Sequence, residues 1–305
     1  MKKPVFIKAD AHEGCVWLAD RRRLYFTSTK DVEHRRVSLY YLDLAHIPAL
    51  TVDYADEIAR VTPSLAVEDV NMANSFCPDA EGRGFYVCEQ GKDDTTARIA
   101  HYTLPGYGAE TVVDDYEGHP FNSPNKVILS NRGHLIFSDP DYGFRQGFRP
   151  PPALEPNVYI RSAEGQLTQF RCNLQMPHGL ALTPDETAIF ITDTSADGAH
   201  DQVSLDHRRR AVYRYDFDAA TGTISGDPAF CFEVASGVPD GTICTQDHLL
   251  TGGGDGIYVA DHLGNLQRKI TTEFTVVNLC AWGPQESHLF ATTDEGVLVF
   301  FDWRE

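Results

Sequence analysis

Basic side chains are scarce in this chain. Twenty-six lysines and arginines stand against 44 aspartates and glutamates, a formal charge of −18. Nucleic acid and anionic membranes are therefore excluded as partners, and the runs Arg21–Arg23 and Arg208–Arg210 read as solvated turns. Long apolar runs are missing too. No stretch approaches a membrane span, and the opening MKKPVFIKADAHEG lacks the apolar segment of a secretory signal. The seven cysteines, Cys15, Cys77, Cys88, Cys172, Cys231, Cys244 and Cys280, include no CxxC pair. Most lie in strand-like apolar runs as small hydrophobes, which fits a reducing cytoplasm. There is no GxSxG elbow, no HExxH helix and no P-loop. The GGGDG run at 252–256 has no strand–turn–helix context and reads as a hairpin turn. Helical periodicity is confined to 54–65, YADEIARVTPSL, where Pro63 would end a short turn.

What the chain has is repetition. The strand signals LYFTS, FYVCE, IFSD, IFITD, LLTGG and LFATTD superpose Thr27, Cys88, Ser138, Thr192, Thr251 and Thr292. These residues are separated by 61, 50, 54, 59 and 41 positions. Units of this length built of short strands predict an all-β, six-bladed β-propeller, with residues 1–305 forming one domain. The first strand begins near Val5 and GVLVFFDW ends the chain, so the two termini are expected to share one blade. Residues 143–157, rich in proline and glycine, predict a loop over a channel mouth, and 195–210 a polar insertion in the fourth blade.

Counting back 14, 14, 13, 14, 11 and 14 residues from the aligned positions reaches Glu13, Asn74, Asn125, His178, Asp240 and Asn278. If these open the innermost strands, they converge on the axis as a polar ring, and the oxygen-rich set suits a divalent cation. Glu89 and Gln90 follow the second-blade strand and are expected near the same mouth, as are Tyr142, Arg145 and Arg149 of the loop.

In context these residues form motifs. HEGCVW, CEQG, YEGHPFNSPNKVIL, FSDPDYGFRQGFRPPP, MPHGLALTPDETAIFITDT and VPDGTI…GGGDGIYV follow one another over residues 12–294. Together they resemble the SMP-30/gluconolactonase/LRE-like family, most closely its lactonohydrolase branch. The resemblance implies a six-bladed propeller carrying one divalent cation, often calcium, and an enzyme that opens a small, aldonolactone-like ring. It implies that Glu13, Asn125 and Asp240 hold metal or substrate and that Asp240 is catalytic. Two positions depart from the family pattern: Lys126 replaces the aspartate of SPND, and His178 the asparagine of PNG. An imidazole shifts the preference toward zinc or manganese, and a lysine moves the local charge toward positive.

The expected site therefore consists of Glu13, Asn125, His178 and Asp240 as metal ligands, with Asp240, His178 and Lys126 as catalytic groups. Asn74, Asn125, Asn278, Gln90, Tyr142, Arg145 and Arg149 would contact a small-molecule substrate. The two departures keep open a rebuilt site that catalyses an isomerisation, cyclisation or decarboxylation, or a binding protein without turnover. The substrate and the oligomeric state are not legible.

Overall fold

The computed structural model describes residues 3–93, 95–197 and 209–304. Among them are six four-stranded antiparallel sheets, each built from strands consecutive in the chain except where the ring closes. The first blade contains Val16–Leu18, Arg23–Thr27, Leu39–Asp43 and Ser64–Val67, and the second runs from Ala73–Pro78 to Gly108–Val113. The third spans Val127–Leu129 to Leu167–Phe170, the fourth Pro177–Leu182 to Thr223–Glu233, and the fifth Thr242–Cys244 to Leu266–Thr271. The sixth takes Asn278–Trp282, His288–Thr293 and Gly296–Phe300 from the end of the chain and its outer strand, Val5–Lys8, from the start. Each innermost strand touches those of both neighbours, so the six form a closed ring. The shared blade and the propeller are both as the repeat predicts.

The sequence pattern explains why the sheets stack. The inner part of each blade is covered on both faces, so its second strand is buried almost continuously rather than alternately: LIFSD, AIFITD and LLTGG are buried at every position. Successive side chains still point to opposite faces. Phe26 packs with Ile7 and Phe290 toward the sixth blade, whereas Tyr25 packs with Phe76 and Phe85 toward the second. Likewise Ile189 and Ile191 face the third blade and Phe190 faces the fifth. Six apolar clusters result, one at each seam between neighbouring blades.

Local predictions fare unevenly. Gly252–Gly256 does form a hairpin, joining Leu249–Gly253 to Gly256–Ala260. The helical segment is shorter than 54–65, with a 3-10 turn Val52–Tyr54 leading into Ala55–Ala59. The loop after Asp139 is not wholly irregular: Tyr142–Arg145 makes one helical turn before the prolines. Arg21–Arg23 lies at the first hairpin, where Arg22 donates to the Ile47 carbonyl at 2.7 Å and Arg23 pairs with Asp43 at 2.8 Å. Most of the 195–210 insertion, Arg208 included, lies outside the described residues. Among the described residues no helix is long and apolar enough to cross a membrane.

Closure depends on the apolar face of the strand Val5–Lys8, whose Ile7 is fully buried in the seam between the sixth and first blades. Replacing Ile7 with alanine is expected to cost about 2–5 kcal/mol, read as a lower urea midpoint at an unchanged m-value. Leu263→Ala, at a side chain 74% exposed, should stay within about 0.5 kcal/mol of the parent.

Candidate functional site

Three of the aligned strand ends, Thr27, Ser138 and Thr192, turn out to be fixings of the ring. The Thr27 hydroxyl accepts the Glu13 amide at 3.2 Å, Ser138 accepts that of Lys126 at 3.2 Å, and Thr192 that of Gly179 at 2.7 Å. In these three blades a small hydroxyl on the second strand thus takes a main-chain amide at the start of the inner strand. Cross-blade bonds then tie neighbours at the axis. Ser75 donates its amide to the Asn125 carbonyl at 3.2 Å, Gly241 to Val277 at 2.7 Å, and the Ser138 hydroxyl to the His178 carbonyl at 2.6 Å. Glycine is required where the backbones come this close. A β-carbon on Gly179 would stand 2.6 Å from the Asp240 carbonyl, and one on Gly241 would stand 2.5 Å from the Asn278 α-carbon. The glycine after each of these ring residues lets the next blade approach.

The arrangement brings Glu13, His178 and Asp240 together, with one ligand atom from each lying within 4.8 Å of the others. His178 Nδ1 and Asp240 Oδ1 are 3.7 Å apart, and both are buried without a hydrogen-bond partner. The Asn278 amide donates to Glu13 Oε2 at 2.8 Å, and Lys126 Nζ reaches Asn278 Oδ1 at 3.4 Å. Lys126 is buried and turned toward the axis, not away along its strand. The Tyr142 ring stands edge-on to the His178 imidazole at 5.6 Å, and its hydroxyl pairs with Thr194 at 2.6 Å. Asn125 is buried beside the cluster, its backbone held between Ser138 and Ser75. The amides of Asn74 and Gln90 are buried with both polar atoms unpartnered.

The remaining expected contacts are occupied elsewhere. Arg145 is bound to Asp141 at 2.6 Å. Arg149 donates to the backbone carbonyls of Thr95, Phe121 and Asn122, which makes it a brace beneath the loop. Glu89 does not face the mouth: it is fully buried and bound by Arg98 at 2.7 Å, Tyr102 at 2.6 Å and Asn71 at 2.8 Å. Its place in the repeat explains this. Acids directly after the aligned residue tie down the entering loop, as Asp139 does with the amides of Asn122 and Ser123, and Asp193 with those of Gln175 and Ser195.

One residue of the site had no signal in the ring alignment. Lys30, three positions beyond Thr27, brings its ammonium into the field of Glu13, Asp240, Asp197 and Asp294. Part of its surface is open, yet burial among protein atoms lowers its pKa against the pull of these acids. The useful signal would have been a lysine just past an aligned strand end, on the ring side of the blade. The unpartnered His178 Nδ1 and Asp240 Oδ1 beside Glu13 fit a bound cation; the mixed nitrogen and oxygen donors suit zinc or manganese as well as calcium.

The electrostatics separate the two candidate bases. Burial, followed by the positive fields of Lys30, Lys126 and His12, pushes the His178 pKa down to about 3. The imidazole is therefore neutral at ordinary pH, suited to ligation, and a weak base. Burial, and then the charge of Glu13, raises Asp240 well above the usual carboxylate range, with Lys30 and Lys126 opposing. Asp240 is the stronger proton acceptor of the pair.

Comparison with known proteins agrees with the motifs. The profile of the SMP-30/Gluconolactonase/LRE-like region matches residues 11–295, and the chain belongs to that family. It is 24% identical over 315 residues to the lactonohydrolase oryL of Aspergillus oryzae, covering 94% of this chain and 66% of that protein. It is 29% identical over 193 residues to a gluconolactonase of Zymomonas mobilis, covering 61% of this chain and 52% of the relative. The chain thus spans between half and two thirds of these relatives. A solved gluconolactonase structure from Xanthomonas campestris shares the fold, with a TM-score of 0.75 at 24% identity over 97% of this chain and 87% of that one.

Because the His178 pKa is lowered to about 3, its imidazole nitrogens should show no titration between pH 5 and 8 in chelator-treated protein, as followed by ¹⁵N NMR. A midpoint near the ordinary histidine value of about 6.5 would contradict the buried, cation-flanked placement.

Proposed function

We propose that this chain, acting as a single domain, opens a small lactone by hydrolysis at the axial ring. The observation that carries the reading is the convergence of Glu13, His178 and Asp240, with two unpartnered ligand atoms, in a member of a lactonase-containing family. The names of the two relatives point to lactone rings of this class.

The residues present would hold one divalent cation through Glu13, His178 and Asp240, with Asn125 beside them. When bound, such an ion supplies Lewis-acid polarisation of a carbonyl and lowers the pKa of water. The protein's own groups supply the rest. Asp240, the carboxylate beside His178, is the proton acceptor for the attacking water. His178 holds its neutral form and is kept in orientation by the edge of Tyr142. The amides of Asn74 and Gln90 would meet the ring hydroxyls of an aldonolactone-like substrate, since unpartnered buried amides in native proteins are met by water or ligand, with Asn125 and Asn278 beside them. Lys126, held by Asn278 close to Glu13, and Lys30 offset the negative charge that gathers as the ester becomes a carboxylate. Water adds across the acyl–oxygen bond; the products are a hydroxy acid and, at neutral pH, one proton.

The expected result with an aldonolactone in a pH-stat is stoichiometric acid release that falls by at least about a hundredfold in Asp240→Asn. Substrate consumption without acid release would instead indicate a non-hydrolytic reaction at the rebuilt ring. Elemental analysis of protein purified without chelator should find one divalent ion per chain, lost in Glu13→Gln. A metal-free parent that hydrolyses lactone at full rate would remove the cation from the reading.

A further inference from the structure

Below the ring, on the side away from Tyr142 and the loop, the axis opens into a cavity of about 420 Å³ that the proposed reaction does not use. Lys126 and Thr242 stand at its inner end, and Asn131, Glu186 and Glu286 at its outer end, in turns that follow the innermost strands. Between them the wall is apolar, with Trp17, Phe76, Ile128, Leu182, Ile243 and Ala281 among its side chains. Four of the seven cysteines, Cys15, Cys77, Cys244 and Cys280, complete that wall.

Among the described residues no three of these thiols gather within 4.8 Å, although Cys15 and Cys280 meet through a side-chain hydrogen bond. Burial pushes the Cys77 and Cys244 thiols up to about 12 and raises Cys15 well above its usual range. They stay protonated and serve as small apolar surface. The outer acids are engaged as well: Glu186 accepts the Asn131 amide at 2.6 Å and Glu286 the Gln246 amide at 2.7 Å. They fix turns. The functional contrast in the cavity is between its apolar wall and the single ammonium at its inner end. Lys126 Nζ carries three N–H donors and has one hydrogen bond, at 3.4 Å to Asn278. A buried ammonium with donors to spare, at the end of an apolar slot, matches a ligand with an anionic head and an apolar tail.

We propose that the lower axial channel is a second ligand site, one that takes an unbranched aliphatic carboxylate head first, with its carboxylate on Lys126 and its chain along the apolar and thiol wall. The strand Val127–Leu129 that flanks the slot rises about 10 Å over its three residues, which sets a tail of roughly six to eight carbons. Such a ligand occupies Lys126 from below while the ring above stays open to its own substrate, so the site couples the lactone-opening ring to an aliphatic acid without sharing its pocket.

Isothermal titration calorimetry of the full chain with octanoate, octan-1-ol and octyltrimethylammonium tests the proposal without any turnover, so its outcome is separate from that of the hydrolase reading. Octanoate is expected to bind at one site per chain, at least about tenfold more tightly than octan-1-ol. Lys126→Met should remove that preference and leave octan-1-ol within about twofold of the parent. Ala281→Phe, which fills the slot, should abolish octanoate binding while lactone hydrolysis persists. Ala281→Leu provides the same check should the larger ring lower the melting temperature. Equal binding of acid and alcohol, preference for the ammonium, absence of heat with all three, or octanoate binding that survives both Lys126→Met and the Ala281 variants would each overturn it.

Discussion

Everything in this molecule depends on how closely six backbones approach one axis. The blades are held apart at their rims by large side chains in the seams, but at the centre the innermost strands come near enough to exchange main-chain hydrogen bonds. Gly179 and Gly241 sit where any side chain would strike the next blade. The same close approach that closes the ring also places Glu13, His178 and Asp240, from the first, fourth and fifth blades, within ligand distance of one another. No single blade contains a site. The polar side chains come from separate blades, and the ring that brings them together closes through the Val5–Lys8 strand.

Concentrating acids at an axis has an electrostatic cost, and the chain meets it in two ways. Lys30 and Lys126 bring two ammonium groups into the field of Asp240, and Glu13, His178 and Asp240 stand close enough together to hold a cation. The low basicity of His178 follows from the same packing, because an imidazole buried beside two ammonium groups and His12 is held neutral. Asp240, buried beside Glu13, is driven the other way. Two side chains 3.7 Å apart thus have their proton affinities moved in opposite directions.

Much of this was readable in the amino-acid order. The spacing of Thr27, Ser138 and Thr192 predicted the blades because a small hydroxyl there does a defined job, fastening the start of the inner strand through a main-chain amide. Counting back from Thr27 and Thr192 reaches Glu13 and His178, and from Thr251 Asp240. The reading was weaker for residues in loops. Arg145 and Arg149 looked like free cations over the mouth, but Asp141 and a set of backbone carbonyls take their donors. Glu89 looked exposed after its strand and is instead the hub of a buried network with Arg98, Tyr102 and Asn71. Lys30 is legible only once its place just past the aligned Thr27 is read as the ring side of the blade, because its acidic partners Asp240 and Asp294 come from other blades.

Sequence alone determined the fold class, the number of blades, the shared terminal blade and the height at which polar side chains meet the axis. These follow from short-range periodicity, from turn chemistry and from a repeat that each blade expresses within its own segment. Tertiary structure decided which groups have partners and which are left to bind. Charge compensation by Lys30, the orientation of Lys126 toward Asn278, the depressed basicity of His178 and the gathering of four thiols along one channel all join residues from different blades. Hydrogen-bond satisfaction and desolvation depend on distances across the ring, and no spacing along the chain encodes those until the six strands have closed.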